Sequence, residues 1–469
     1  MIKKYVVAFA LLLFPLGIFA KDEDEETVTL SLEQALDYAL QNSRTLKSND
    51  IDLALKERAA KYSWNVFLPT VTVAGTMSRA TEYSPSSAAM AQMMAAMAGT
   101  TGTTPKTDFD GEEDHWTTVG SISASLNLSL AYIWQIRAKK ADFEVGKITW
   151  EQSQKETLLN VKKLFYGLLL QQESLKIQKA TLENARQRMV QAQTNYRNGT
   201  IPELSLLQTQ VNYQNTRPDV EQQEQALGQS LDTFAFLLGM PVGTKIVLDG
   251  SIEPKYIEAD VISLIETYGA NDLNLRSLQS NLDVLNLNLK ALDIATWTPA
   301  LSISYGWQPA YIGNEGAWHF WGDIGSDDKW YDSGSLSLTL AWNITNMLPW
   351  SSNRQQAKDL KANIAKLELT METLRENQKM EVRKAVDTLN QAKQQIDAMG
   401  RNVTLAQRAY DATYRSYRNG MTELLDLRDA EESLNKAKLG LLNQKFNYIS
   451  ALMDLENTLN TTLVDDESE

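Results

Sequence analysis

The sequence predicts a mainly α-helical chain that also carries membrane-type β-strands, with the whole arrangement laid out twice. Three observations predict it. Long Gln-, Lys-, Glu- and Leu-rich stretches run almost without Gly or Pro. Four segments, each about ten residues long, alternate strictly between apolar and small polar side chains. One order of landmarks recurs in the two halves.

Composition narrows the function classes first. The chain has 469 residues, no Cys, 2 His and a formal net charge of -14, with 45 Lys+Arg against 59 Asp+Glu. Absent Cys excludes disulfide scaffolds, thiol catalysis, Fe–S clusters and Cys-ligated zinc. His115 and His319 are too few for a His-based metal centre or catalytic triad, and both fall in loops, where surface positions are expected. The acidic balance argues against nucleic acid, because phosphate binding needs clustered Lys and Arg. No nucleophile–base constellation, phosphate loop or metal spacing appears, so neither an enzyme nor a cofactor or metal protein is expected.

The chain opens with Lys3 and Lys4, an apolar run from Tyr5, and small Ala20. Positive start, short apolar middle and small end read as a secretory signal peptide over residues 1–20. No later segment reads as a transmembrane helix.

The helical stretches are expected at about 136–196, 203–238, 272–296 and 352–417. In the last of these, Val382, Ala385, Leu389, Ala392, Ile396, Met399, Val403, Ala406, Tyr410 and Tyr417 follow 3/4 spacing. Leu175, Leu182, Ala185, Met189, Ala192 and Tyr196 repeat that seam earlier in the chain. Sustained 3/4 spacing implies coiled-coil packing. A helix of about 65 residues would extend roughly 100 Å at 1.5 Å per residue.

The strands are expected at about 70–80, 118–131, 299–308 and 334–344. Ile122, Ala124, Leu126 and Leu128 alternate with Ser121, Ser123, Ser125 and Asn127. Leu336, Leu338, Leu340 and Trp342 alternate with Ser335, Ser337, Thr339 and Ala341. Pro69 and Pro299 launch the first and third strands, a position where Pro costs no ladder hydrogen bond. Long loops, about 79–117 with an acidic run at 108–114 and about 308–334, join the strands within each half.

The duplication is clearest at the helical turns. Tyr196-Arg197-Asn198-Gly199 recurs as Tyr417-Arg418-Asn419-Gly420, and Phe67-Leu68-Pro69 corresponds to Trp297-Thr298-Pro299. An ordered set of matches is the mark of an internal repeat. Each Asn-Gly suits a left-handed helix cap, so each half carries a long antiparallel helical hairpin ending at that turn. The expected layout is a signal peptide over 1–20, a first repeat over 21–250 with its tip at 196–203, a second repeat over 251–462 with its tip at 417–424, and an acidic disordered tail over 463–469.

Ten-residue strands with one apolar face, one Ser/Thr/Asn face and aromatic ends fit tilted membrane strands. Four strands cannot close a barrel, and an open edge in lipid is not tolerated, so chains must associate. The smallest bacterial barrels have about eight strands, so a dimer is the lower bound, and periodicity alone does not choose a trimer.

These features, with Leu237-Leu238-Gly239-Met240-Pro241 closing the first half, make residues 27–462 resemble the TolC family of outer-membrane efflux channels. The resemblance implies a homotrimer. A 12-stranded β-barrel in outer-membrane lipid would continue into a periplasmic α-helical barrel, girdled by about 240–270 and both mature termini. It implies an exit duct for small molecules or proteins, serving a tripartite pump or type I secretion, with a periplasmic adaptor (a membrane fusion protein) and an inner-membrane pump as partners. It assigns Arg197, Asn198, Gly199, Arg418, Asn419 and Gly420 to adaptor contact. Asp426 and Asp429 become a ring of carboxylates at the periplasmic gate, and Tyr417 a gate-linking residue. Two positions depart from the type member: Thr422 replaces an arginine and Ser205 an aspartate. Two other readings fit parts of the sequence. A secreted or surface coiled-coil scaffold or adhesin explains the heptads, and a periplasmic adaptor explains one hairpin but not two.

Overall fold

Helix-forming stretches and proline-led alternations divide the chain in the computed structural model, which describes residues 28–79, 116–311, 320–322, 324 and 330–464. The first half contains β1 (Val28–Leu30), α1 (Leu32–Asn42), α2 (Arg44–Lys61), β2 (Thr70–Arg79), β3 (Trp116–Leu128), α3 (Ala131–Arg197), α4 (Glu203–Leu238) and β4 (Ile246–Leu248). The second contains α5 (Val261–Tyr268), α6 (Leu273–Trp297), β5 (Ala300–Tyr311), β6 (Trp330–Ala341), α7 (Ser352–Arg418) and α8 (Leu424–Leu459). The signal sequence, the acidic run 108–114, His115, His319, most of both long loops and residues 465–469 lie outside the described residues.

The two hairpins have matched arms. Helices α3 and α7 are 67 residues each, and α4 and α8 are 36 residues each. Helix α3 starts at Ala131, earlier than composition suggests, because the chain turns directly out of β3. The Ser129 hydroxyl accepts from the Ala131 N–H at 3.2 Å and its carbonyl accepts from the Tyr132 N–H at 3.1 Å. Helix α4 continues through Pro218, where one i→i−4 bond is lost without ending the helix.

The described chain falls into two units. One comprises Met1–Lys47, Ser153–Ser263 and Val382–Glu469. Its core gathers Val161, Phe165 and Leu168 of α3, Phe234 and Leu238 of α4, and Ile449 and Met453 of α8. Fully burying one such side chain is worth about 1.5–3 kcal/mol. The arms of the first hairpin meet at Phe165–Phe234, with ring centroids 6.3 Å apart, and at Lys179–Glu224, 2.5 Å apart. Partner numbers fall on one helix as they rise on the other, so the arms are antiparallel. Helices α3 and α8 are zipped the same way, through Lys155–Asn460, Lys163–Asp454, Thr181–Asn435 and Asn184–Glu431. The expected seam of α7 is inside, with Val382, Leu389, Ala392 and Ile396 all buried. Short β1 pairs in parallel with β4. Helix α1 begins with a reciprocal cap between Ser31 and Gln34.

The other unit comprises Ser48–Gln152 and Leu264–Glu381. Its four-stranded antiparallel sheet has the order β2-β3-β5-β6. The register carries apolar residues across the sheet in rows. Val73 faces Ile122, which faces Trp307; Leu126 faces Ile303, which faces Leu338. Small polar residues form the alternate rows: Thr70 faces Ser125, which faces Ser304, which faces Ser337. The Ser304 and Ser337 hydroxyls are hydrogen-bonded at 2.6 Å. The apolar rows are uncovered, with Leu336, Leu338 and Leu340 76%, 71% and 70% exposed and Val73 73% exposed. Contiguous exposed apolar surface of this kind marks a face made for a non-aqueous neighbour. Strands β2 and β6 each have a single neighbour in this sheet. Among the described residues, no helix is long and apolar enough to cross a membrane.

Candidate functional site

The helical turns carry most of the residues that sequence reasoning singled out. Both are closed by the same backbone device. Gly199 and Gly420 each have φ of +72°, the left-handed region that a side chain disfavours. The Gly199 N–H donates to Tyr196 O at 2.9 Å and the Thr200 N–H to Asn195 O at 3.0 Å. The second turn repeats this, with the Gly420 N–H donating to Tyr417 O and the Met421 N–H to Ser416 O, both at 3.0 Å. These paired bonds are the Schellman cap, which satisfies carbonyls that the helix end leaves orphaned. Nothing lies within 4 Å of where a Cβ would stand on either glycine, so φ alone requires Gly there.

Arg197, Asn198, Arg418 and Asn419 are exposed at these turns. Tyr417 is half-buried and Tyr196 is exposed. Asp426 lies in the first turn of α8, where its charge complements the helix dipole. Asp429 follows three residues on, so both carboxylates share a face. Both are exposed, while Leu427 between them is buried. Asp429 lies 3.9 Å from Arg428, a surface pair with little energetic weight. Thr422 and Ser205 are both half-buried at their turns. Pro69 and Pro299 are exposed and immediately precede β2 and β5, far in sequence from the turns. Among the described residues, no group of three or more His, Asp or Glu is placed to hold a metal ion.

One polar constellation was not foreseen. Glu431 of α8 accepts from Arg188 of α3 and from the Asn184 amide at 2.8 Å. The Arg188 Nε donates to the Asn184 carbonyl at 3.1 Å. Side chains of Arg188 and Glu431 are only 11% and 7% exposed. Tyr410 of α7 lines the same small cavity as Asn184, Glu431, Leu434 and Asn435. Burial, then the negative charge of Glu431, pushes the Tyr410 phenol above the ordinary tyrosine value, and Arg188 partly opposes this. Spacing could not reveal this cluster, because its members are dispersed over three helices. The only sequence signal is a polar residue on an otherwise apolar seam.

The chain thus carries two matched hairpins with Schellman tips and an amphipathic four-stranded sheet. The sequence profile described as outer membrane efflux protein matches residues 35–240 and 264–461. The chain belongs to the outer membrane efflux protein family. Members of this family are channels, not enzymes. Solved structures agree on the fold of this efflux protein. It is similar to the Campylobacter jejuni CmeC outer membrane channel, with a TM-score of 0.71, 16% identity, and coverage of 93% of this chain and 87% of that one. It is similar to the outer membrane protein VceC of Vibrio cholerae, with a TM-score of 0.66, 12% identity, and coverage of 92% and 97%. It is also similar to the open state of the Neisseria gonorrhoeae MtrE outer membrane channel, with a TM-score of 0.66, 15% identity, and coverage of 93% and 91%. No curated protein matches the efflux protein's sequence.

Proposed function

We propose that this chain is the outer-membrane exit channel of a multi-component export system, working with a periplasmic adaptor and an inner-membrane transporter. The observation that carries this reading is the sheet. Its apolar rows run across strands from both halves of the chain, its other face is mainly Ser and Thr, and β2 and β6 each have one neighbour. Lipid tolerates such a sheet only if the edges are paired. Three copies would supply twelve strands and close a barrel with a hydrophilic lumen, β6 of one copy pairing with β2 of the next. A signal peptide over 1–20 would export the chain, and the repeats 21–250 and 251–462 would each contribute one strand pair and one hairpin.

In this assembly the hairpins stand in the periplasm and the Arg-Asn-Gly turns meet the adaptor. Asp426 and Asp429 from three copies form a ring of six carboxylates at the entrance, with Tyr417 among its gate residues. Such a ring concentrates cations and repels anions. Family membership and the exposure of both carboxylates on one face of α8 support this assignment.

Planar-bilayer recording of the purified oligomer tests the reading. Cation-preferring conductance is expected, and a folded, inserted oligomer without any conductance would overturn it. D426A combined with D429A should relieve block by multivalent cations added on the helical side. Unchanged block would remove the ring while leaving the channel.

A further inference from the structure

The helix-bearing ends of the four long strands lie along one margin of the sheet. Thr70, at the start of β2, faces Ser125 near the end of β3; Leu128, at the end of β3, faces Leu301; and Ala300, at the start of β5, faces Ala341, at the end of β6. Basic side chains lie over aromatic rings beside each strand end. Lys61 stands over Tyr62 before β2 at 5.8 Å, and Arg137 over Trp134 after β3 at 4.6 Å. Before β5, Lys290 stands 5.2 Å from the centroid of the same Trp134; after β6, Arg354 stands 5.7 Å from that of Trp297. The charge here opposes that of the whole chain. Residues 56–69, 129–142, 286–299 and 343–361 hold ten Lys and Arg against four Asp and Glu, whereas the chain carries a net charge of -14.

Trp134 is the centre of this margin. Two cations from different helices converge on one ring, and among the described residues neither Arg137 nor Lys290 makes a salt bridge. Both are exposed. Two positive charges held at one ring, with no carboxylate paired to either among the described residues, favour an anionic ligand beside them. A guanidinium lying over an indole still has several N–H donors, and these match phosphate oxygens. Beside these cations lies an apolar hollow of about 320 Å³, lined by Phe67, Leu128, Leu130, Ile133, Pro299 and Leu301 with Ser129. Phosphate-binding edges beside an apolar hollow fit a molecule with an anionic head and a hydrocarbon body.

We infer that this margin is a lipid-selective collar, binding anionic glycerophospholipids by their headgroups at Arg137, Lys290 and Arg354 and by their acyl region in the adjoining hollow. The inference rests on the reading that the sheet stands in a membrane with its helical end toward the periplasm. The occupant is therefore the phospholipid leaflet on that side. Aromatic residues anchor strand ends at an interface regardless of lipid charge. The cations add a preference for negatively charged heads, about fivefold per cation at low salt and fading as salt screens them.

Native mass spectrometry of the full-length oligomer tests this, after reconstitution into vesicles of phosphatidylethanolamine with or without phosphatidylglycerol. The wild type should retain phosphatidylglycerol over phosphatidylethanolamine well beyond their ratio in the vesicle. R137Q/K290Q/R354Q should bring retention to that ratio, and R137K/R354K, which preserves charge, should keep most of the preference. K366Q/K379Q on α7 serves as a control away from the collar and should change nothing. A wild type that inserts but retains both lipids equally, or a triple variant with the wild-type preference, overturns the collar and leaves the membrane reading intact. A chain that inserts into neither vesicle overturns the membrane reading and the collar together.

Discussion

Arg188 of α3 and Glu431 of α8 form a buried ion pair that ties one helical hairpin to the other. Each lies eleven positions from the glycine of its own hairpin turn, counting 188 to 199 and 420 to 431. The pair is imperfect. Among the described residues, Arg188 Nη1 is buried without a hydrogen-bond partner. Removing one member of such a pair strands a charge in a poorly solvated place, at a cost of about 3–5 kcal/mol, whereas apolar replacement of both is often neutral. Glu431→Ala should therefore lower the denaturation midpoint sharply, and Arg188→Met with Glu431→Leu should recover most of it. Chemical unfolding of the three proteins measures this. Equal loss in the single and double variants would refute the account.

The glycines separate backbone strain from steric clash. Gly199→Ala and Gly420→Ala meet no neighbour, so each should cost about 1–2 kcal/mol from the left-handed φ alone. Gly239 has φ of +83°, and a Cβ there would lie 2.2 Å from the Asn42 carbonyl oxygen. Gly239→Ala must displace the end of α1 as well and should be the most damaging of the set. Gly400, inside α7 with open space around it, should respond in the opposite sense, gaining about 0.5–1 kcal/mol as Ala. Thermal melts of the four variants give the order.

The two faces of β6 should tolerate charge differently. Leu338 is exposed on the apolar face, and Ser337 lies on the other, bonded to Ser304. If the apolar rows meet lipid, Leu338→Arg should cost about 2–4 kcal/mol of insertion free energy. Ser337→Arg should insert normally and alter conductance instead. Folding into vesicles followed by single-channel recording distinguishes them. Equal insertion of both variants would mean that the apolar rows do not face lipid.

Alkaline stability should depend on Tyr410. Its folded-state pKa is raised, by burial first and by Glu431 second. Below about pH 10 the phenol is protonated in folded and unfolded chains alike. As pH rises past that point the unfolded chain loses its proton first, so the stability contributed by neutral Tyr410 drains away until the folded phenol also ionises. Tyr256, raised by burial and then by Asp397, adds to the same loss. Tyr410→Phe should flatten the fall in stability above pH 10 and leave the profile near neutrality unchanged. Urea midpoints across the alkaline range provide the check.

Much of the architecture was legible because it is written locally. Strand faces need only a period of two, the α7 seam only 3/4 spacing, and the tips only Asn-Gly after a long helix. Each of these is enforced by backbone geometry within a few residues. What escaped notice depends on distance along the chain. Glu431 finds Arg188 across 243 positions, and Lys290 reaches the ring of Trp134 from another helix. No spacing rule connects such residues, because helix packing alone brings them together. Strand order was hidden for the same reason. Pairing of β3 with β5 joins the two halves of the chain, and nothing in either strand names its neighbour.

The equality of the hairpin arms, 67 and 36 residues in each half, has a consequence for how such a chain could change length. A helix advances 1.5 Å per residue, so one added heptad lengthens an arm by about 10 Å. Placed in α3 alone, it would unmatch the zipper with α8; placed in both arms of one hairpin, it would carry that tip past its twin. Only four insertions made in step, each a whole number of heptads, preserve both the packing and a level rim. The chain behaves as a ruler ruled twice, and its graduations can be moved only together.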